Sequence, residues 1–313
     1  MKRFICKLIL FVFPVAVIFL LLNALYVRTN YWKHENNTDK FVNIPYDLEL
    51  VNLGSSHTCY GLNYDVVPEL KAWNLANDSQ RYFWDYGVLK NYADHLAENA
   101  IVIIPISYFG VIARGDYSEY RKRYYRILPK EDMDYWLLKE YIAYCKLPLL
   151  SAGVNRIHIF RDIPKERMTP FYGREKHLDG EDLYTYCVNK HKSWTANNKG
   201  EEGYKENREE ISRIIDFCYA HHLRPVLITA PITDVLNEIY EADNDFFSTF
   251  EQFSNDLCQK YAGLIYLDYS RSEDFSPYHE LFADGDHLNN FGAEKFTRTL
   301  IKDLQERLKK EKF

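Results

Sequence analysis

Leu48-Glu49-Leu50-Val51-Asn52-Leu53 runs directly into Gly54-Ser55-Ser56-His57. The first six residues read as a strand, and the glycine after them permits a tight backbone turn. A serine on such a turn is lifted out of the sheet, with its hydroxyl exposed at the carboxyl end of the strand. Ser56 is therefore the candidate nucleophile. The same letters also describe an ordinary polar strand end, so the rest of the chain must supply a sheet and a base.

The sheet can be read outward from that stretch. Residues 71–75 form a short second strand, and Ala100-Ile101-Val102-Ile103-Ile104 is an unbroken apolar run, as expected of a strand covered on both faces. Residues 225–229 and 263–268 repeat that character. Between them, apolar residues at helical spacing predict helices over 80–99, 206–222, 246–261 and 291–310, the last with Phe296, Leu300, Leu304 and Leu308 on one stripe. Alternating strands and helices predict an α/β fold with a parallel sheet, helices on both faces and right-handed crossovers. Ligands of such sheets bind at the carboxyl ends of the strands. Residues 108–200 break the rhythm with Tyr117, Tyr120, Tyr124, Tyr125, Tyr135 and Trp136 among Arg121, Lys122, Arg123 and Arg126. This stretch reads as a helical insertion that caps the site or shapes a glycan groove, or else only packs at the periphery.

The second chemical segment is Asp284-Gly285-Asp286-His287, in the loop before the last helix. His287 is the candidate base. Asp284, three residues earlier, can reach one imidazole nitrogen while the other faces the serine. Asp286 is the competing orienter, although its adjacency to His287 makes folding back harder. His57 is adjacent to the nucleophile and either touches substrate or makes a structural hydrogen bond. A metal held by His57, Asp284 and His287 is the alternative chemistry, but no further ligand cluster accompanies them, and no metal is expected. No nucleotide-binding glycine motif is present, so no cofactor is expected either. The six cysteines, Cys6, Cys59, Cys145, Cys187, Cys218 and Cys258, are scattered without a paired motif and read as inert thiols. Cys59 lacks the preceding glycine turn and ranks below Ser56 as a nucleophile.

Residues 4–26 are almost uninterrupted apolar residues, long enough to cross a bilayer, and Lys2, Arg3 and Lys7 predict a cytoplasmic N-terminus. A cleaved signal peptide is the competing reading. The length of the run and the absence of a clean cleavage site favour an uncleaved single-pass anchor over residues 1–28. Residues 29–45 then read as a tether, and 46–313 as an extracytoplasmic domain. A formal charge of −6 gives no basic footprint for nucleic acid. Twenty-six tyrosines suit sugar-like ligands as well as a tyrosine-rich core.

With both segments in hand, residues 46–308 resemble the SGNH (GDSL-type) hydrolase superfamily, and within it membrane-anchored DltD-like and alginate-acetylation proteins. Ser56 matches the nucleophile position, and Asp284 and His287 match the Asp-x-x-His block, continued by Leu288-Asn289-Asn290-Phe291-Gly292-Ala293. Asn74-Leu75-Ala76-Asn77-Asp78-Ser79-Gln80 stands at the second block, with Ser79 in place of an oxyanion-hole glycine. Ile104-Pro105-Ile106-Ser107-Tyr108 stands at the third, with Ser107 where the family has asparagine. The resemblance implies a three-layer α/β/α, flavodoxin-like fold and an oxyanion hole from Ser56 and Ser79, with Ser107 as a substitute donor. It implies a serine acyl esterase or O-acyltransferase acting on a cell-surface polysaccharide or cell-wall polymer, with a multispanning acyltransferase as partner. The alternative is a non-catalytic glycan-binding or assembly factor that keeps the fold.

Overall fold

A computed structural model describes residues 2–36, 38–112, 120–161, 178–196 and 200–310. The chain folds as two compact units, residues 1–43 with 117–168, and residues 44–116 with 169–313.

The first unit begins with α1 (Lys2–Tyr26). Its Cys6–Tyr26 stretch has a mean hydropathy of 2.8 and is long and apolar enough to cross a membrane. The segment read as a tether carries a short helix, Asn30–Asn36, and a 3-10 turn, Asp39–Phe41. Tyr26 and Trp32 share a small core with Leu149, Ala152 and Ile159. The tyrosine-rich stretch packs largely on itself: the Tyr125 ring meets those of Trp136, Tyr141 and Tyr144.

The second unit holds the sheet. Its strands are β1 (Leu48–Asn52), β2 (Ala72–Asn74), β3 (Leu96–Pro105), β4 (Arg224–Thr229) and β5 (Ile265–Asp268). All four pairings are parallel, in the order β2-β1-β3-β4-β5. That is the flavodoxin-like order, whose direction of winding reverses between β1 and β3. The expected α/β class and parallel sheet are found. The longer helices are α2 (Tyr82–Tyr92), α3 (Gly180–Ala196), α4 (Gly200–Ala220), α5 (Asp234–Ala242), α6 (Asn244–Lys260) and α7 (Asn290–Lys310).

Strand side chains alternate between faces. Leu50, Ile103, Val226, Ile228 and Leu267 pack with Phe296, Leu300 and Leu304 of α7 on one side. Val51, Val102, Ile104 and Leu227 are fully buried on the other. There α4 packs on β4 and α2 and buries Ile211, Ile214, Ile215 and Cys218. The helix expected over 80–99 ends earlier, at Tyr92, and β3 already begins at Leu96, which pairs with Leu48. Asn99 takes a left-handed φ of 62° inside that strand, and its N–H bonds to the His222 carbonyl. Helical spacing of Leu96 with Tyr92 and Ala93 continues past the true boundary, because strand pairing overrides it.

Candidate active site

The turn after β1 is built from backbone constraints. Gly54 has a φ of 111°, a region that side chains strain against. A Cβ there would also collide with the Pro105 ring and come within 2.6 Å of Thr58 Oγ1. Thr58 Oγ1 donates to the Leu53 carbonyl at 2.7 Å and closes the turn from below. The short helix Ser56–Gly61 starts at the candidate nucleophile.

The second turn is organised by Asp284. Its Oδ1 accepts the N–H of Asp286 at 3.2 Å and that of His287 at 2.9 Å, which folds the carboxylate back over the loop. Its two oxygens then lie 2.9 and 3.1 Å from His287 Nδ1. In the neutral imidazole this arrangement puts the proton on Nδ1 and leaves Nε2 as acceptor. Nε2 lies 2.8 Å from Ser56 Oγ. Two segments 231 residues apart thus meet at the carboxyl edge of the sheet.

Asp286 sits almost completely buried beside them. Its Oδ1 accepts from the Tyr186 hydroxyl at 3.0 Å and lies 3.3 Å from His287 Nδ1. Its Oδ2 is 3.0 Å from His57 Nε2 and 3.1 Å from Lys190 Nζ. Sequence adjacency suggested that Asp286 is poorly placed to reach His287. Instead it gathers both histidines and two residues of α3. The His57 ring stacks on that of His287, with centroids 4.5 Å apart.

Charge follows from this packing. Burial works against the imidazolium of His287, but the Asp286 charge and the Asp284 and Asp286 bonds outweigh it and raise its pKa to about 9. Burial and then the charge on His287 push His57 below its usual value, against the pull of Asp286. Asp286 itself, although burial opposes its charge, is held well below the carboxylate range by His287 and His57. Donor atoms of His57, Asp286 and His287 lie within 4.8 Å of one another, close enough to hold a cation. The Lys190 ammonium already faces that carboxylate, and its positive charge works against a metal ion there.

A cavity of about 190 Å³ opens on Ser56 and is lined by Ser79, Ser107, Tyr82, Trp194 and Tyr240, with His57 at its wall. Ser79 has a left-handed φ of 52°, the conformation that a glycine would adopt without strain. Ser107 Oγ accepts the N–H of Gly110 at 3.2 Å, which engages the oxygen and not the hydroxyl proton. The candidates Ser56, His57, Ser79, Ser107, Asp284 and His287 therefore converge on one place.

Two features of this site were not picked out from the sequence. Asp85, at the start of α2, is fully buried, and its Oδ1 accepts from Gly54 N and from Gln80 Nε2, both at 2.7 Å. It ties the turn that carries Ser56 to the loop that carries Ser79. Burial raises its pKa to about 7, against those two bonds. The other feature is α3, which lies within the stretch read as an insertion and brings Tyr186, Lys190 and Trp194 to the site. Their spacing of four residues, one helical stripe, was the available signal. Cys59 is buried, and burial raises the Cys187 thiol behind the loop to about 12.

No protein-family model matches the chain, and no curated protein matches it. Among solved structures it is similar to a GDSL-like lipase from Bacteroides thetaiotaomicron VPI-5482 (9% identity, TM-score 0.42, 90% of this chain and 98% of that one). It is also similar to a protein from Bacteroides fragilis NCTC 9343 provisionally described as an acylhydrolase (10%, TM-score 0.45, 89% and 99%). A third, from Streptococcus pneumonia, is provisionally described as a platelet activating factor (12%, TM-score 0.43, 93% and 99%).

Proposed function

We propose that this chain is a serine acyl esterase or O-acyltransferase of the SGNH type, with Ser56 as nucleophile, His287 as base and Asp284 as its orienter. The observation that carries the reading is the continuous hydrogen-bonded path Ser56 Oγ, His287 Nε2, His287 Nδ1, Asp284. In the first step Ser56 Oγ bonds to an ester carbonyl carbon while its proton passes to His287 Nε2. The carbonyl oxygen becomes an oxyanion facing the backbone N–H groups of Ser56 and Ser79, with the Ser107 hydroxyl as a further donor. Each such donor is worth about 3 kcal/mol of transition-state stabilisation. Collapse breaks the ester bond, and the imidazolium gives its proton to the leaving alcohol. Water or a sugar hydroxyl then attacks the acyl-serine, with His287 taking its proton; the acyl–Oγ bond breaks and the imidazolium returns the proton to Ser56 Oγ. Access of the acceptor decides between hydrolysis and transfer.

The substrate class follows from the family that the residues resemble: an acylated cell-surface polysaccharide or cell-wall polymer outside the cytoplasm. Trp194, the half-buried aromatic ring lining the cavity beside the buried Tyr82 and Tyr240, supports a ligand with flat apolar faces, such as a sugar ring. In this reading α1 is an uncleaved anchor. Its last turns are part of a folded core through Asn23 and Tyr26, which a cleaved leader would remove. A multispanning membrane protein that exports acyl groups is the partner expected on the same ground.

A non-catalytic glycan-binding role is the second reading, favoured by Ser107 standing where the resembled family has asparagine. Turnover of short acyl esters by the full-length protein separates the two. Wild type is expected to hydrolyse them and Ser56→Ala to fall to background. Equal rates for the two proteins contradict the catalytic reading.

A further inference from the structure

Residues 142–161 contain Lys146, Arg156 and Arg161 but no Asp or Glu. They fold as a run of tight turns: a π-helical turn Ile142–Lys146, 3-10 turns Pro148–Leu150 and Gly153–Ile157, and a helical turn His158–Arg161. Backbone N–H groups along the run are used locally, Leu147 to Ile142, Leu150 to Leu147, Ser151 to Pro148 and Asn155 to Ala152. Such local pairing is what an apolar medium demands of a backbone.

The run has two sides. Inward, Leu149, Ala152 and Ile159 are buried against Tyr26 and Trp32, with Phe19 and Leu22 packed at the edge of the same cluster. Asn23 pins it: its side-chain amide donates to the Lys146 carbonyl at 3.2 Å, and its Oδ1 accepts the Leu149 N–H at 3.1 Å. Outward, Leu150, Val154, Ile157 and Phe160 are 54%, 88%, 42% and 77% exposed. Four large apolar side chains within eleven residues thus stand exposed, an apolar density that calls for a covering medium.

Depth identifies the occupant. Phe19 lies seven residues before the end of α1, about 10 Å along the helix axis. The turns therefore pack beside the last two turns of the apolar span and against Tyr31 and Trp32 just after it, where the His158 ring stacks on that of Tyr31 at 4.1 Å. Cys6–Tyr26, 21 residues, is about 31 Å long, close to the thickness of a bilayer's hydrocarbon core. Leu150 and Phe160 are the sequence neighbours of Leu149 and Ile159, which pack at the end of that helix.

We propose that residues 146–161 form a second membrane contact: a monotopic shoulder lying in the interface beside α1. Its apolar side chains enter the acyl region by about 5–10 Å, and Lys146, Arg156 and Arg161 meet anionic headgroups. The shoulder rests on the reading of α1 as a retained anchor. It makes the attachment a broad footing rather than a single rod.

The test uses the full-length protein in phosphatidylethanolamine–phosphatidylglycerol vesicles that carry a diazirine-bearing phosphatidylglycerol. Peptides are mapped after photolysis, and a parallel sample is labelled with a water-soluble carbene reagent. Lipid adducts are expected on 147–161 as well as on 6–26. Val154→Ser with Phe160→Ser, both at exposed positions, is expected to lose most shoulder adducts and keep those on α1. Adducts on α1 with none on 147–161 overturn the shoulder while leaving the anchor standing. Shielding of 147–161 from both lipid and aqueous reagents means that a protein covers it, and also overturns the proposal. Absence of adducts from α1 as well overturns the anchor and the shoulder together.

Discussion

At the residue scale, His287 sets the working range. In the proposed mechanism the free imidazole is the base, so kcat/KM is expected to rise with pH through about 9, where His287 loses its proton. Asp286→Asn removes a buried negative charge that holds the proton, so the same rise is expected at lower pH and activity near neutrality should increase. A pH–rate profile of both proteins checks this; an unmoved profile would mean that Asp286 does not govern His287. Stability has the opposite sign. A histidine raised from 6.5 to about 9 contributes fully below 6.5 and loses that contribution as pH rises through 9. Asp284→Asn differs in kind, because it disturbs the tautomer rather than the charge alone. A fall in kcat of roughly 10⁴ is expected, with little change in KM. Asp284 and His287 were legible as a pair because their spacing is local, whereas Ser56 stood out only through its place after the first strand, its partner lying 231 residues away. The reach of Asp286 to His57 and Lys190 was not legible, since it depends on where α3 comes to rest.

At the scale of elements, the turn that carries Ser56 depends on two supports. Gly54→Ala meets both a positive φ and the Pro105 ring, so a loss of about 1–3 kcal/mol is expected in urea unfolding, with activity lost alongside. Asp85 is the second support. Its pKa rises from 3.8 to about 7, so the folded state holds that proton more tightly than the unfolded one. The resulting stability is full below 3.8 and is lost as pH rises through about 7. Urea midpoints at about pH 5 and pH 8 should therefore diverge more for wild type than for Asp85→Asn; equal spacing would show that Asp85 does not titrate there. Strand positions were readable because buried parallel strands are continuous apolar runs. The boundary between α2 and β3 was not, because Leu96 fits either period and only its pairing with Leu48 decides.

For the whole molecule, the stretch read as one insertion serves two units. Residues 120–161 belong to the unit that contains α1, and α3 belongs to the unit that contains the sheet. Composition marked the irregularity but could not divide it, since the dividing contacts are long-range. The central claim concerns the second unit alone: that Ser56 is a nucleophile activated by His287. Fluorophosphonate labelling of the full-length protein, followed by peptide mapping, tests it most directly. The account predicts one adduct, on Ser56, formed faster as pH rises toward 9 and abolished in His287→Ala. An unlabelled Ser56, or a labelling rate indifferent to loss of His287, would contradict it.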